Sequence, residues 1–199
     1  MNELLDNALE HELIAIGFKG LFQLYYDNPK NKIWNSGANE EKLKNIIEQP
    51  NSSLLGSFLA AETLRYYEVK LDKKYTNKLS EAYVYALEKT NMEDDDFIGI
   101  SANSWGFLYN NKNAGYLGEK LISYGEITIS NLVKLLEIEG KVLYEGSEEA
   151  TIGNDYQYRI KDFAAFYIAK IKNIPLTFYQ DFDERDAEIE RLKKILANE

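Results

Sequence analysis

The sequence predicts an all-α protein built from stacked antiparallel helix hairpins. Three segments share one pattern, in which an apolar residue and two small residues are followed by apolar residues three and six positions after the second small residue. They are Leu59-Ala60-Ala61 with Leu64 and Tyr67, Ile100-Ser101-Ala102 with Trp105 and Leu108, and Phe163-Ala164-Ala165 with Ile168 and Ile171. This spacing follows one face of a helix, and the small pair allows a second helix to approach closely. The interval between the starts of the first and second segments matches the length of a two-helix repeat unit, about 40 residues.

The first 50 residues contain helix signals but no clear copy of this pattern, so we interpret them as a degenerate N-terminal cap. A helix is predicted over residues 3–17, and a second short helix over 21–26. A third is predicted over 40–49, and Pro50 ends it. The apolar stripes of the first and third helices are Leu5, Leu9, Leu13 and Ile16, and Leu43, Ile46 and Ile47.

Residues 51–175 are predicted to form the repeat-like helices. Asn51 or Ser52 is expected to cap the helix of the first small-pair segment, and Thr76 the next helix. The acidic run at 93–96 is placed to start the helix that carries Trp105. Short helices are predicted over 115–124 and 130–137, the second capped by Ser130, and a longer helix over 157–173.

Residues 140–158 interrupt the helical pattern. They are predicted to contain a short strand over 141–144 and a long irregular loop or small hairpin, because a connection between two helices usually has only about 2–8 residues. A C-terminal helix is predicted within 181–198. We expect the whole chain, 1–199, to form a single α-helical domain.

Two segments carry a resemblance to a known family. Phe163-Ala164-Ala165, preceded by Arg159 and Asp162, resembles the inner helix of HEAT-type or armadillo-type repeats, as does Leu59-Ala60-Ala61-Glu62-Thr63-Leu64. The resemblance covers about residues 50–175. It implies an α-solenoid and a surface that binds other proteins. Small, acidic, cysteine-free helical proteins are also similar in type to immunity proteins, which neutralise bacterial toxins.

Composition narrows the classes of function. The net charge of −10 disfavours binding to nucleic acid and favours a basic protein partner, although solubility alone would also explain it. The chain has no cysteine and a single histidine, His11, so neither disulfides nor a thiolate or multi-histidine metal site is expected. No cofactor is expected. Because no apolar run reaches membrane length and the N-terminus lacks a signal pattern, we expect a cytoplasmic protein that does not contact membranes.

The loop at 140–158 is the best candidate for a partner-binding site, because it is long, acidic and rich in tyrosine. Its candidate residues are Tyr144, Glu145, Glu148, Glu149, Asp155, Tyr156 and Tyr158. Tyrosine supplies contact area, and carboxylates attract lysine and arginine. An ordinary surface insertion would have the same composition. No catalytic residue is predicted.

The sequence therefore predicts a non-enzymatic protein-binding module, in its narrower form an inhibitor of a basic toxin or enzyme. Two alternatives remain open. One is an α-helical hydrolase that uses carboxylates of residues 140–158 for acid–base chemistry, and the other is a scaffold with several partners.

Overall fold

The computed structural model describes residues 2–26, 31–91, 93, 95, 98–110 and 113–198, and most of them are helical. The prediction of a mainly helical protein is confirmed, whereas the stacking of hairpins into a solenoid stays a prediction. The chain divides into two compact units, Met1–Ala86 and Leu87–Glu199. None of the helices in the described ranges has the length and apolar character that a membrane crossing requires.

The first unit contains helices α1 (Asn2–Tyr26), α2 (Glu40–Glu48), α3 (Leu54–Tyr66) and most of α4 (Thr76–Glu88). Two short 3₁₀ turns, Asn35–Gly37 and Lys73–Tyr75, precede α2 and α4. The helices predicted over 3–17 and 21–26 form one element, α1, which bends at Gly17. That residue has a φ of 66°, a conformation that glycine adopts without strain.

The apolar stripes predicted for this unit point into its core. Leu9 and Leu13 of α1 are buried, and Leu43, Ile46 and Ile47 of α2 are fully buried. Ile16 is half-buried, and the side chain of Leu5 lies outside the described part.

Helix α3 forms the centre of the first unit. It contacts α1 and α2, and its residues are buried without interruption from Gly56 to Leu64. Its N-cap is Ser53 rather than Asn51 or Ser52, since the Ser53 hydroxyl accepts a hydrogen bond from the Gly56 N–H at 2.9 Å. Glu10 Oε1 in turn accepts from the backbone N–H and the hydroxyl of Ser53, both at 2.8 Å, and so ties α1 to this helix start.

The second unit contains more and shorter elements. They are α5 (Ala102–Trp105), β1 (Gly106–Phe107), β2 (Asn113–Ala114), α6 (Tyr116–Tyr124), α7 (Ile129–Leu135), α8 (Ser147–Gly153), α9 (Ile160–Lys172) and α10 (Phe182–Ala197). Strands β1 and β2 pair antiparallel, with Gly106 opposite Ala114. Short 3₁₀ turns follow α6 at Gly125–Thr128 and α8 at Asn154–Tyr156.

Helix α9 is the centre of this unit. It contacts α6, α7 and α10, and it is buried from Ile160 to Ala169. The third small-pair segment lies on it, as the first lies on α3. Both pairs, Ala60-Ala61 and Ala164-Ala165, are buried where neighbouring helices pack, as their spacing predicted.

The second small-pair segment does not form the predicted helix. Ala102–Trp105 is one helical turn, and Gly106 then enters β1 with a φ of 129°. A side chain at Gly106 would collide with the backbone of Asn113, so the chain needs glycine to make this turn. The apolar residues Ile100, Trp105 and Leu108 are nevertheless buried.

Two predicted helix starts are corrected, and the start of the C-terminal helix lies within its predicted range. The acidic run does not lead into a helix, because α5 begins at Ala102; Glu93 and Asp95 lie in a turn, and Asp94 and Asp96 fall outside the described residues. Helix α7 begins at Ile129, after a 3₁₀ turn, and so is not capped by Ser130. Helix α10 begins at Phe182, and Asp181 Oδ1 caps it by accepting from the Glu184 N–H at 3.1 Å.

Candidate functional site

Residues 140–158 are more ordered than a loop. The predicted strand over 141–144 is reduced to a single bridge between Lys141 and Arg159, and α8 follows it. The Asn154 side chain closes the segment on itself: its Oδ1 accepts from the Tyr144 N–H at 2.8 Å, and its Nδ2 donates to the Tyr144 carbonyl at 3.1 Å. These bonds replace those of a strand, because an asparagine side chain can satisfy a backbone donor and acceptor together.

Two of the predicted contact residues belong to the core. Tyr144 and Tyr158 are 3% and 0% exposed, so neither ring can contact a partner in this structure. Burial raises the pKa of both hydroxyls, because the tyrosinate would lose its hydration. Their rings pack on each other at 6.3 Å between centroids, and the Tyr158 ring packs on Phe163 of α9 at 6.1 Å.

The remaining candidate residues lie at the surface. Glu145, Glu148 and Asp155 are exposed, and Glu149 and Tyr156 are half-buried. The Tyr156 ring stacks on Tyr158 at 5.2 Å between centroids. The partner contacts predicted for these residues stay a prediction.

Glu148 and Glu149 line a surface pocket of about 430 Å³, which we call the acidic aromatic pocket. Its other walls are Phe107 of β1, Tyr109 and Asn110 of the β1–β2 connection, and Ile152 of α8. The pocket thus joins two parts of the second unit that are about 40 residues apart in sequence. The sequence predicted its two carboxylates but not its aromatic wall.

Buried neighbours hold the aromatic wall in place. The rings of Phe107 and Tyr109 pack on Tyr144, with centroids 6.0 Å and 5.2 Å away. Gly153, at the end of α8, lies so close that an added Cβ would be 2.7 Å from Tyr109 Cε1. The absence of a side chain at Gly153 therefore lets α8 pack directly against these rings, and the pocket is largely pre-formed.

The pocket has an uncompensated negative charge. Within the described ranges, neither Glu148 nor Glu149 makes an ion pair or a side-chain hydrogen bond, whereas Glu62 of α3, for example, pairs with Arg65 at 2.9 Å. The pKa of Tyr109 is raised, first by partial burial and then by the charges of Glu149 and Glu148.

The densest charge cluster of the second unit lies outside this pocket and has a structural explanation. Arg159 binds Asp162 on α9 at 3.0 Å and Asp186 on α10 at 2.7 Å, and Arg185 of α10 reaches Asp162 at 3.2 Å. Arg185 also donates to the Tyr156 carbonyl at 2.7 Å, which fixes the end of the 140–158 segment. These charges are paired with one another.

The described residues contain no group of three or more His, Asp or Glu side chains placed to hold a metal ion. The two pocket carboxylates and the aromatic wall therefore define the chemistry of the candidate site. No protein-family model, curated protein or solved structure matches this chain.

Proposed function

We propose that this chain is a non-enzymatic protein-binding module whose acidic aromatic pocket receives a basic side chain of its partner. One observation carries the proposal: Glu148 and Glu149, which make no ion pair with any residue that the structure describes, share a pocket with the rings of Phe107 and Tyr109. Aromatic rings attract cations through their faces, and carboxylates bind them directly.

The charge of the whole chain supports the same kind of partner. A net charge of −10 attracts a basic protein over long distances and raises the rate of productive encounter. The narrower form of the proposal is an inhibitor that neutralises a basic toxin or enzyme by covering one of its basic side chains. The similarity in type to immunity proteins supports this form.

The HEAT-like stacking of helix hairpins also belongs to this proposal, as the scaffold that holds the pocket. Helices α3 and α9 support it, because each buries an Ala-Ala pair where other helices pack closely. The scaffold would keep the binding surface in one geometry before the partner arrives, which reduces the entropic cost of association.

The arrangement of the carboxylates favours binding over hydrolysis. Glu148 and Glu149 are consecutive residues of α8, and neighbouring positions of a helix do not face each other. An acid and a base of a hydrolase must instead approach a substrate from opposite sides, about 5–9.5 Å apart in glycosidases. Two consecutive glutamates suit a pocket that attracts a cation.

The test compares partner capture by three immobilised proteins: the wild type, Glu148→Lys/Glu149→Lys, and Glu12→Lys/Glu81→Lys. Glu12 and Glu81 are exposed helical residues of the first unit, so the third protein has the same net charge as the second. Proteins retained from a source-cell lysate are identified by mass spectrometry and purified. The rates at which they associate with each of the three proteins are then measured at low and high salt.

We expect the pocket variant to lose a basic protein that the wild type and the control variant both retain. Its association rate should be at least about tenfold lower at low salt, and added salt should reduce the difference. Circular dichroism checks that the three proteins are equally folded. Equal rates for the wild type and the pocket variant at low salt would show that the pocket is not the binding surface.

A further inference from the structure

We infer that the acidic aromatic pocket selects arginine over lysine, so that its ligand is a guanidinium group on the surface of a protein. This inference rests on the proposed function and names the side chain that the partner must supply. The walls of the pocket, its two carboxylates and its size support it.

The aromatic wall distinguishes the two basic side chains. Phe107 and Tyr109 are half-buried and are held by Tyr144, so an inserted group contacts ring surface that water covers only in part. The planar guanidinium stacks on such rings and is weakly hydrated, whereas the ammonium of lysine is compact and strongly hydrated. Entry into this pocket therefore costs arginine less hydration.

The two carboxylates also fit a guanidinium better. Glu148 and Glu149 are consecutive, so their carboxylates project in different directions from α8. A guanidinium has N–H donors along several edges of a plane and can bind two separate carboxylates while its face lies on a ring. An ammonium concentrates its donors at one atom.

The size of the pocket is compatible with a guanidinium, which is larger than an ammonium group. Its volume of about 430 Å³ lies at the lower end of the range of about 300–1,000 Å³ that is typical of small-molecule sites. Ile152 adds apolar surface for the aliphatic part of the side chain, and Asn110, which also lines the pocket, has a side-chain carbonyl that can accept a hydrogen bond.

The charge favours a protein-borne guanidinium over the free amino acid. The α-carboxylate of free arginine would approach Glu148 and Glu149, which are not neutralised by any described basic residue. An arginine within a polypeptide has no such carboxylate. We therefore assign the pocket to a side chain of a partner protein.

The test measures binding of the full chain to four probes by amide NMR titration. The probes are acetyl-Gly-Arg-Gly-amide, its lysine and citrulline counterparts, and free L-arginine. We expect the arginine peptide to bind about threefold more tightly than the lysine peptide and about tenfold more tightly than the citrulline peptide and free arginine. The shifted amides should include those of Tyr109 and Ile152.

Matched variants separate the contribution of the two carboxylates from that of the aromatic wall. Glu148→Gln/Glu149→Gln keeps the side-chain shape and should remove the preference for arginine over citrulline, whereas Glu12→Gln/Glu81→Gln should keep it. Tyr109→Leu should reduce the preference for arginine over lysine. Tyr109→Phe keeps the ring and should retain that preference, even if the leucine variant folds poorly.

Equal affinity for the arginine and lysine peptides would overturn the inference, and so would the absence of binding at millimolar concentration. If a basic partner still depends on Glu148 and Glu149 in that case, the proposed function stands without the selectivity. An arginine preference at the pocket in a chain that captures no partner would instead contradict the proposed function and leave the guanidinium site intact.

Discussion

The space around a side chain determines the role of several single residues in this protein. Tyr144 and Tyr158 resemble contact residues in sequence, yet burial makes them supports for the pocket wall. Gly153 and Gly118 are the reverse case, because each keeps space open for a neighbouring aromatic ring.

Gly118→Ala should destabilise the protein, although alanine is the better helix former. An added Cβ would lie 2.6 Å from Tyr167 Cε1 and 2.9 Å from the Trp105 carbonyl oxygen, and that carbonyl accepts a buried hydrogen bond from Tyr167. The gain in helix propensity is up to about 1 kcal/mol and overpacking costs roughly 1–3 kcal/mol, so we expect a net loss of about 1–2 kcal/mol.

Urea unfolding followed by circular dichroism measures the effect of Gly118→Ala on the free energy of unfolding. Ser123→Ala, at an exposed position of the same helix, is the control and should change it by less than about 0.5 kcal/mol. A Gly118→Ala protein as stable as the wild type would mean that Tyr167 moves aside without loss.

At the scale of elements, side-chain bonds at helix starts determine which segments pack together. Glu10 of α1 binds Ser53 at the start of α3, and Arg159 joins the start of α9 to α10 through Asp186. Glu10 satisfies a backbone donor that the start of α3 leaves free, whereas the bond between Arg159 and Asp186 is an ion pair between side chains.

Asp186 should make stability depend on pH in the acid range. Burial alone would raise the pKa of Asp186, but hydrogen bonds from Arg159 and Lys161 outweigh this effect and lower it. Glu139 and Asp162 are the other charged groups of this cluster, since both also bind Arg159. A lowered pKa in the folded state means that the unfolded chain binds the proton more readily. The stabilisation is therefore present above the ordinary pKa of 3.8 and is lost as pH falls through the lower, folded-state pKa.

Asp186→Asn tests this dependence. At pH 7 it should lower the free energy of unfolding by roughly 0.2–1 kcal/mol, since the side chain is 42% exposed and solvent screens the pairs. The difference from the wild type should shrink as the pH falls below 3.8 and through the lower, folded-state pKa of Asp186. Urea midpoints across this range measure it, with Glu81→Gln as an exposed control. A difference that is constant with pH would contradict the assignment.

At the scale of the whole molecule, the acidic surface restricts the partners. The most basic stretch is Lys70, Lys73, Lys74 and Lys78, and in the structure two of these lysines are engaged: Lys74 binds Glu48 at 3.0 Å, and Lys78 donates to the Ser52 carbonyl at 2.9 Å. The ion pair with Glu48 reduces the positive charge that this stretch presents to a phosphate backbone.

We predict no binding of the full chain to duplex DNA or RNA at physiological salt. The net charge of −10 repels the phosphate backbone, whose attraction supplies most non-specific affinity. Fluorescence anisotropy with a labelled duplex measures it. Micromolar binding that weakens steeply with salt would contradict the prediction and would point to the four lysines.

Local sequence pattern determined much of the secondary structure of this protein and part of its core. The helical period predicted α2, α6, α9 and α10 to within a few residues, and the small pairs of α3 and α9 predicted their burial. Composition excluded disulfides and thiolate metal sites. These features follow from local chemistry, because helix period, capping and charge act over a few neighbouring residues.

Tertiary structure decided the rest. The turn at Gly106 ended the predicted helix around Trp105, and Tyr109 lines the same pocket as Glu149, a proximity that no local pattern encodes. The same packing buried Tyr144 and Tyr158 and left Glu148 and Glu149 without ion pairs in the described ranges. Which residues meet across a pocket depends on long-range packing, and so the acidic half of the site could be predicted from the sequence while its aromatic half could not.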